Sequence, residues 1–353
     1  MSLNNLAEVL SGSFEGDLMY TVSTTPVVLG GRSLKKHEEI LLMLPHEYND
    51  IVSAILIINA SLTEELGNIY WKVRFNDIML SREFKPQIVT SSNEGKYLTF
   101  IYDVKPIMKP KQLKNVLSIG FEASNPITIE SAMLLLIHRV PEASIDLNLY
   151  AGTSVIEPSH KLDIDMGFRR RISSKGSCLI LLSIPSKACS LSFAVNNKVL
   201  KRVSEVLGTY ELELEYPLSG LRNKLSIIYH DVKGRIFPKE VKVNTVLAFQ
   251  RAVPEPRIVS RVVKVRESGD YVEVDVEVSN VGSGDVKDVI IQVMSVGAIL
   301  YREVIDELKA GGGTVIKFKL LKKVIEQPVT IRTIYRVLGR PLFTDVRLND
   351  VVK

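Results

Sequence analysis

The chain has 353 residues, 46% of them apolar and 24% charged, which supports two or three ordinary domains with sizeable cores and excludes a disordered polypeptide. The net charge is +5, divided as 13 − 15 = −2 over residues 1–140, 16 − 11 = +5 over 141–253 and 16 − 14 = +2 over 254–353. That excess is too mild and diffuse for a nucleic-acid binder, and no stretch approaches the about 20 apolar residues that a membrane-spanning helix needs.

Leu3, Leu6, Val9 and Leu10 share one helical face ahead of Gly12, which predicts a short N-terminal helix. The first residues lack a basic region followed by an apolar run, so no secretory leader is expected. The cytoplasm is therefore the favoured location, with the cell surface as the alternative if a leader was removed. The apolar run 51–58 reads as a strand, and the lone sequon, Asn59-Ala60-Ser61, falls at its end. Across 68–75, Ile69, Trp71, Val73 and Phe75 alternate with Tyr70, Lys72 and Arg74. The first set reads as core, so Trp71 is a packing residue rather than a sugar platform. The second set puts an aromatic ring beside two cations on an open strand face, a candidate site for a glycan or a partner chain.

Further along, Pro141 follows the run Ile137-His138-Arg139-Val140 and reads as a stiff linker. Asp163 and Asp165 alternate with Leu162, Ile164 and Met166. As a pair they are too few for calcium, and a solvated strand face is the better reading. Arg169-Arg170-Arg171 with Lys175 is the densest basic cluster. It is either a solvated loop or a grip for phosphate or an acidic partner. Cys178 and Cys189 are either two buried thiols or a pair on neighbouring strands. Tyr210 to Tyr216 alternates as Y-E-L-E-L-E-Y, and Pro254-Glu255-Pro256 reads as a second linker. Asp270 to Asn280 alternates strictly, with Val272, Val274, Val276 and Val278 on one face. Residues 306–310 read as one helical turn ahead of Gly311-Gly312-Gly313. The linkers divide the chain into 1–140, 141–253 and 254–353.

An internal repeat organises the first two segments. Ile40 to Pro45 echoes Ile180 to Pro185. Phe75-Asn76-Asp77 with Leu80 and Arg82 echoes Val195-Asn196-Asn197 with Leu200 and Arg202. Asn115-Val116-Leu117-Ser118-Ile119 echoes Asn223-Lys224-Leu225-Ser226-Ile227. About 20 additional residues in the first copy, between its proline and Asn76, leave room for one extra strand.

These segments carry a resemblance. The hairpin Phe75 to Leu80, then Tyr102-Asp103-Val104, Asn115 to Ile119 and Ser131 to Leu136 together resemble galactose-binding-like jelly rolls. The likeness covers most of 20–138 and, less closely, 145–250. It implies an architecture without naming a ligand. The pattern V-x-V-x-N-x-G-x-G-x-V-x-D-V from Val276 to Val289, with the alternating strand Thr314 to Leu320, resembles the CARDB group of immunoglobulin-like modules over 257–350. That likeness implies a spacer or docking unit and a surface location. The Val/Ile/Leu-rich, Lys/Arg/Glu-rich composition is similar to that of thermophilic archaeal proteins, whose surfaces carry ion-pair networks.

The expected fold is thus all-β: tandem β-sandwiches, two jelly-roll-like and related, then one immunoglobulin-like. No catalytic constellation accompanies it. His37, His46, His138, His160 and His230 form no zinc spacing, and neither a phosphate loop nor a nucleophile elbow occurs. No catalytic residue, metal or cofactor is expected. The leading expectation is a non-enzymatic scaffold whose modules stand in a row and meet a protein partner through strand edges or loops. A carbohydrate-binding protein is the alternative, and an enzyme with a spatially assembled site is the third. The candidate binding residues are Tyr70, Lys72, Arg74, Arg169, Arg170 and Arg171.

Overall fold

The computed structural model describes residues 5–31, 35–63, 69–230, 240–337 and 340–348. It is nearly all β and divides into two compact units, residues 1–252 and 253–353. Leu3, part of the predicted N-terminal helix, lies outside the described residues.

The strands of the first unit begin with β1 (Ala7–Glu15), β2 (Asp17–Ser23), β3 (Val27–Gly30), β4 (His37–Met43), β5 (Ile51–Leu62) and β6 (Tyr70–Phe75). They continue with β7 (Ile78–Ser81), β8 (Ile88–Ser92), β9 (Gly95–Asp103), β10 (Lys114–Glu122) and β11 (Pro126–His138). The second half holds β12 (Ser144–Ile156), β13 (Lys161–Gly167), β14 (Lys175–Ile184), β15 (Ser190–Val195), β16 (Lys198–Ser204), β17 (Gly208–Pro217), β18 (Arg222–His230) and β19 (Val241–Ala252).

One sheet runs β2-β11-β5-β9-β8, with β3 also on β11, and its partner runs β4-β10-β6-β7. The second pair runs β1-β12-β19-β14-β17 and β13-β18-β15-β16. Setting aside β1, β3 and β8, each copy has eight strands, ordered 1-8-3-6 in one sheet and 2-7-4-5 in the other. That is a jelly roll, twice. The strands of Asn115 and Asn223, β10 and β18, hold the same place in both. The hairpins agree in detail. Asn76 and Asp77 (φ 48° and 65°) and Asn196 and Asn197 (φ 50° and 66°) are left-handed, as a two-residue type I′ turn requires. The echo between Ile40 to Pro45 and Ile180 to Pro185 fails. Ile180 lies on β14, whose counterpart is β5, while Ile40 lies on β4, whose counterpart is β13. The expected extra strand is likewise misplaced: β5 has its equal in β14, and the strands added to the first copy, β3 and β8, precede β4 and follow Arg82.

The two jelly rolls are stacked face to face rather than set in a row. Along β11, Leu134 and Leu136 point into the first sandwich, while Met133, Leu135 and Ile137 meet Ile145, Leu147, Leu179 and Leu247 of the second. Both faces of the inner sheets are buried, so their strands read as unbroken apolar runs instead of alternating ones. Pro141 accordingly belongs to a tight reversal, with Ala143 N–H bonded to the Val140 carbonyl at 3.2 Å, and not to a spacer.

The predicted N-terminal helix is a strand. β1 pairs antiparallel with β12, in the second sandwich's sheet, although β2 directly after it belongs to the first. A register shift between Glu8 and Leu10 explains the misreading. A bulge changes which face each residue takes, so Leu6, Val9 and Leu10 mimic helical spacing. The chain crosses between sheets at Gly16 (φ +130°), where a Cβ would lie 2.0 Å from the His138 carbonyl oxygen.

The second unit, described by itself, contains β20 (Ile258–Ser268), β21 (Tyr271–Asn280), β22 (Val286–Ser295), β23 (Ala298–Leu308), β24 (Gly313–Leu321), β25 (Val329–Val337) and β26 (Arg340–Arg347). Sheets β20-β21-β24 and β23-β22-β25-β26 enclose Val272, Val274, Val276, Val278, Ile291 and Phe318. Three strands facing four is an immunoglobulin-like arrangement. The helical turn expected at 306–310 is replaced by the end of β23, because Leu308 still pairs with Val286. One short helix, Lys322–Ile325, was not foreseen.

Candidate functional site

Strand β6 shows how alternation builds a site. Trp71, Val73 and Phe75 are buried, and Trp71 stacks on Phe100 with ring centroids 4.8 Å apart. The opposite face carries Tyr70, which is exposed, and the half-buried Lys72 and Arg74, across from Glu122, Gly120 and Ser118 of β10. Gly120 has no side chain to occupy that face. A Cβ there would lie 3.5 Å from Tyr70 Cε1 and 3.6 Å from Lys72 Cβ. The Tyr70 ring can therefore lean over bare backbone while staying 51% exposed.

Tyr70 forms one wall of a cleft of about 510 Å³, completed by Gly30, Gly31, Lys36, Ile69, Glu122 and Ala123. Backbone bonds hold its segments together: Gly31 N–H to the Ala123 carbonyl at 3.1 Å and Phe121 N–H to the Lys36 carbonyl at 2.9 Å. Lys36 Nζ and Glu122 Oε2 are paired at 3.0 Å, both more than half exposed. Tyr70 thus shares a cleft with Lys36 and Glu122. Lys72 and Arg74 stay on the same sheet face outside the cleft, and the Arg74 Nε is buried without a hydrogen-bond partner. Sequence reasoning missed Lys36 and Glu122 because each lies on a different strand or loop. The signal available was Gly120, a glycine interrupting the outward face of β10.

Arg169, Arg170 and Arg171 occupy the β13–β14 loop. Their backbone is fixed from below by two buried side chains. Asp146 Oδ2 accepts from the Arg169 and Arg170 N–H groups at 2.9 Å each and from Ser13 Oγ at 2.7 Å. Gln250 Oε1 accepts from the N–H of Ile172 at 3.0 Å and of Ser173 at 3.3 Å. Arg169 reaches the Ser11 carbonyl at 3.3 Å, and all three arginines are exposed. The loop is a rigid display of cations, in a different place from the Tyr70 cleft.

Asp163 is held by Lys161 at 3.0 Å, Lys224 at 2.9 Å and Ser226 at 2.6 Å. Burial alone would raise its carboxyl, but these hydrogen bonds outweigh it and hold it at about 2. Cys178 and Cys189 are both free and buried, and burial pushes the Cys178 thiol up to about 12. Among the described residues no group of three or more His, Cys, Asp or Glu is placed to hold a metal ion, and no helix is long and apolar enough to cross a membrane.

No family model matches the sequence, and no curated protein matches it. Among solved structures, the chain is similar to β-glucuronidase from Ruminococcus gnavus (11% identity, TM-score 0.20), covering 57% of this chain and 35% of that one. It is also similar to β-glucuronidase 2 of Bacteroides uniformis (12%, TM-score 0.20), with coverage of 57% and 26%. A third is PNGase F, a glycosylasparaginase from Flavobacterium meningosepticum (10%, TM-score 0.26), with coverage of 66% and 95%. The chain spans about a third of the length of the glucuronidases it matches.

The expected protein-interaction scaffold is corrected here. The structures found are named as β-glucuronidases and a glycosylasparaginase, and none is named as a protein-interaction scaffold. The row of separate modules expected of that scaffold is replaced, in residues 1–252, by two jelly rolls fused through their inner sheets. Likeness at this level concerns the β-sandwich fold, and those enzymes' activities remain their own.

Proposed function

We propose that the first jelly roll binds a saccharide in the cleft at Tyr70, and that the protein acts by binding without turnover. The observation that carries this reading is one exposed aromatic ring flanking a cleft that also contains a paired cation and carboxylate. A sugar's C–H face packs against an aromatic ring, and its hydroxyls bond in pairs to charged groups lying in reach. A volume of about 510 Å³ suits a small-molecule site. Galactose-binding-like modules, which the first jelly roll resembles in sequence pattern, are the finer class to which it would belong. Turnover of a glycoside would call for two carboxylates flanking the bond, about 5–9.5 Å apart. Among the described residues of this cleft Glu122 is the single carboxylate, and it is paired with Lys36.

Affinity electrophoresis through gels carrying soluble polysaccharides tests the proposal. Wild type is expected to be retarded by at least one neutral glycan. Tyr70→Ala should weaken that retardation clearly, a loss of about 0.5–1.5 kcal/mol for an exposed stacking ring, with an unchanged melting temperature. A wild type that no glycan retards, or a Y70A variant retarded equally, would overturn it.

A further inference from the structure

Because the two jelly rolls share one frame, they can be compared position by position. In both, the turn asparagine binds the strand asparagine. Asn76 Nδ2 donates to Asn115 Oδ1 at 2.9 Å, and Asn196 Nδ2 donates to Asn223 Oδ1 at 2.9 Å. The next residue closes the motif each time: the Val116 N–H reaches Asn76 Oδ1 at 3.0 Å, and the Lys224 N–H reaches Asn196 Oδ1 at 2.9 Å. Above this shared floor the copies diverge. The first pairs Met43 with Lys114 and Leu41 with Val116 across β4 and β10. The second pairs Gly167 with Arg222 and Asp165 with Lys224 across β13 and β18. Where the first copy carries Leu41, Met43 and Val116, the second carries Asp165, Gly167 and Lys224, while a cation, Lys114 or Arg222, stands at the fourth position in both; a Cβ added to Gly167 would meet nothing within 4 Å.

The result is a cleft of about 340 Å³ over Gly167, bordered by Asp165, Asn196, Arg222 and Lys224. Its polar floor is satisfied internally. Asn196 also donates to Ser219 Oγ at 2.7 Å, and Asn223 Nδ2 donates to the Gly220 carbonyl at 3.0 Å. Lys224 is partly engaged by Asp163 at 2.9 Å, and it also offsets Asp165, the one carboxylate lining the cleft. What remains is Arg222, whose guanidinium has neither an ion pair nor a hydrogen bond among the described residues. The Phe168 N–H binds the Leu221 carbonyl at 2.8 Å, which brings the rigid Arg169 to Arg171 loop beside it.

We propose that this second cleft binds an oxyanion, a carboxylate or a sulfate, held bidentately by Arg222 above Gly167. A guanidinium presents two parallel N–H donors matched to two oxygens of such a group, and an unpaired one on a cleft wall has that capacity unused. Arg169, Arg170 and Arg171 follow Gly167 within four residues, in the segment that carries the +5 excess, and add to the positive potential of this jelly roll. The inference rests on the divergence of the two copies and stands apart from the Tyr70 proposal.

The test is an amide NMR titration of the full chain with inorganic sulfate, with D-glucuronate and with neutral D-glucose. Sulfate, glucuronate or both should shift the Gly167 and Lys224 amides saturably, and glucose should not. Sulfate alone would identify a sulfate group as the ligand, and glucuronate alone a carboxylate. Arg222→Gln should weaken binding by about tenfold or more. Gly167→Met, which installs the first copy's residue in open space, should block the cleft while leaving Arg222 in place. Tyr70→Ala should leave these shifts unchanged. No saturable shift with either anion, an equal response to glucose, or wild-type titration by both R222Q and G167M would overturn the proposal.

Discussion

Glu130 is 6% exposed on β11, between the two jelly rolls, and its carboxylate is paired with Lys242 of β19. Ser183 Oγ donates to it at 2.8 Å and Asn244 Nδ2 at 3.3 Å, while Lys242 Nζ lies 4.7 Å from the Tyr97 ring centroid. Burial raises the Glu130 carboxyl. The Lys242 charge and the hydrogen bonds from Lys242, Ser183 and Ser61 outweigh that and bring it below the usual carboxylate range. Such a pair adds little net stability, yet removing one member leaves a buried charge uncompensated. Glu130→Ala is therefore expected to lower unfolding stability by about 3–5 kcal/mol, whereas Glu130→Leu combined with Lys242→Met should come within about 2 kcal/mol of wild type. Urea denaturation of the three proteins checks this. Equal losses in the single and double variants would remove the pairing argument.

At the level of elements, β1 shows how a short segment joins two sheets. It lies at the edge of the second jelly roll's inner sheet, and one residue later the chain enters the first jelly roll's inner sheet. Gly16 permits this, with its N–H bonded to the Ala143 carbonyl at 2.9 Å. Gly16→Ala would drive a methyl group into the His138 carbonyl at a φ that L-residues rarely adopt. The expected loss is about 3 kcal/mol or more, seen as a lower denaturation midpoint, together with weaker hydrogen-exchange protection in β1 and β2. A near-neutral G16A variant would mean that the crossover is not held as described.

For the molecule as a whole, a buried histidine packed beside His46 and Tyr48 of the first jelly roll makes stability depend on pH. His138 is 4% exposed, its ring centroid is 5.7 Å from that of His46, and its strand partner is Asp17. Burial lowers its pKa, the His46 charge lowers it further, and Asp17 and a backbone hydrogen bond at Arg139 partly oppose them. The net folded value lies below the ordinary 6.5. As pH falls, the unfolded chain therefore takes up this proton first, and stability drops from just above that value downward. Urea midpoints measured from about pH 7.5 to about pH 5 should fall for wild type and fall less for His138→Gln. Glu130 and Asp163, held below their ordinary values, add a separate loss at more acidic pH. An identical pH dependence in H138Q would exclude His138 as the source.

Much of this protein is decided by local chemistry. Period-two alternation made the strands around Tyr70, Tyr210 and Tyr271 recognisable, because successive side chains on a strand point to opposite faces. Asn76-Asp77 and Asn196-Asn197 announced their hairpins, since few residues tolerate two consecutive left-handed conformations. The duplication was legible from the asparagines that close each floor. Alternation, however, tells which face a residue takes and not what covers that face. Only the packed structure decided that Met133, Leu135 and Ile137 meet the second jelly roll, that β1 pairs across the seam, and that Tyr70 shares its cleft with Lys36 and Glu122 while Lys72 and Arg74 lie outside it. Arg222 above Gly167 is of the same kind. These contacts depend on register and strand order, which bring together residues far apart along the chain, and no local pattern records them.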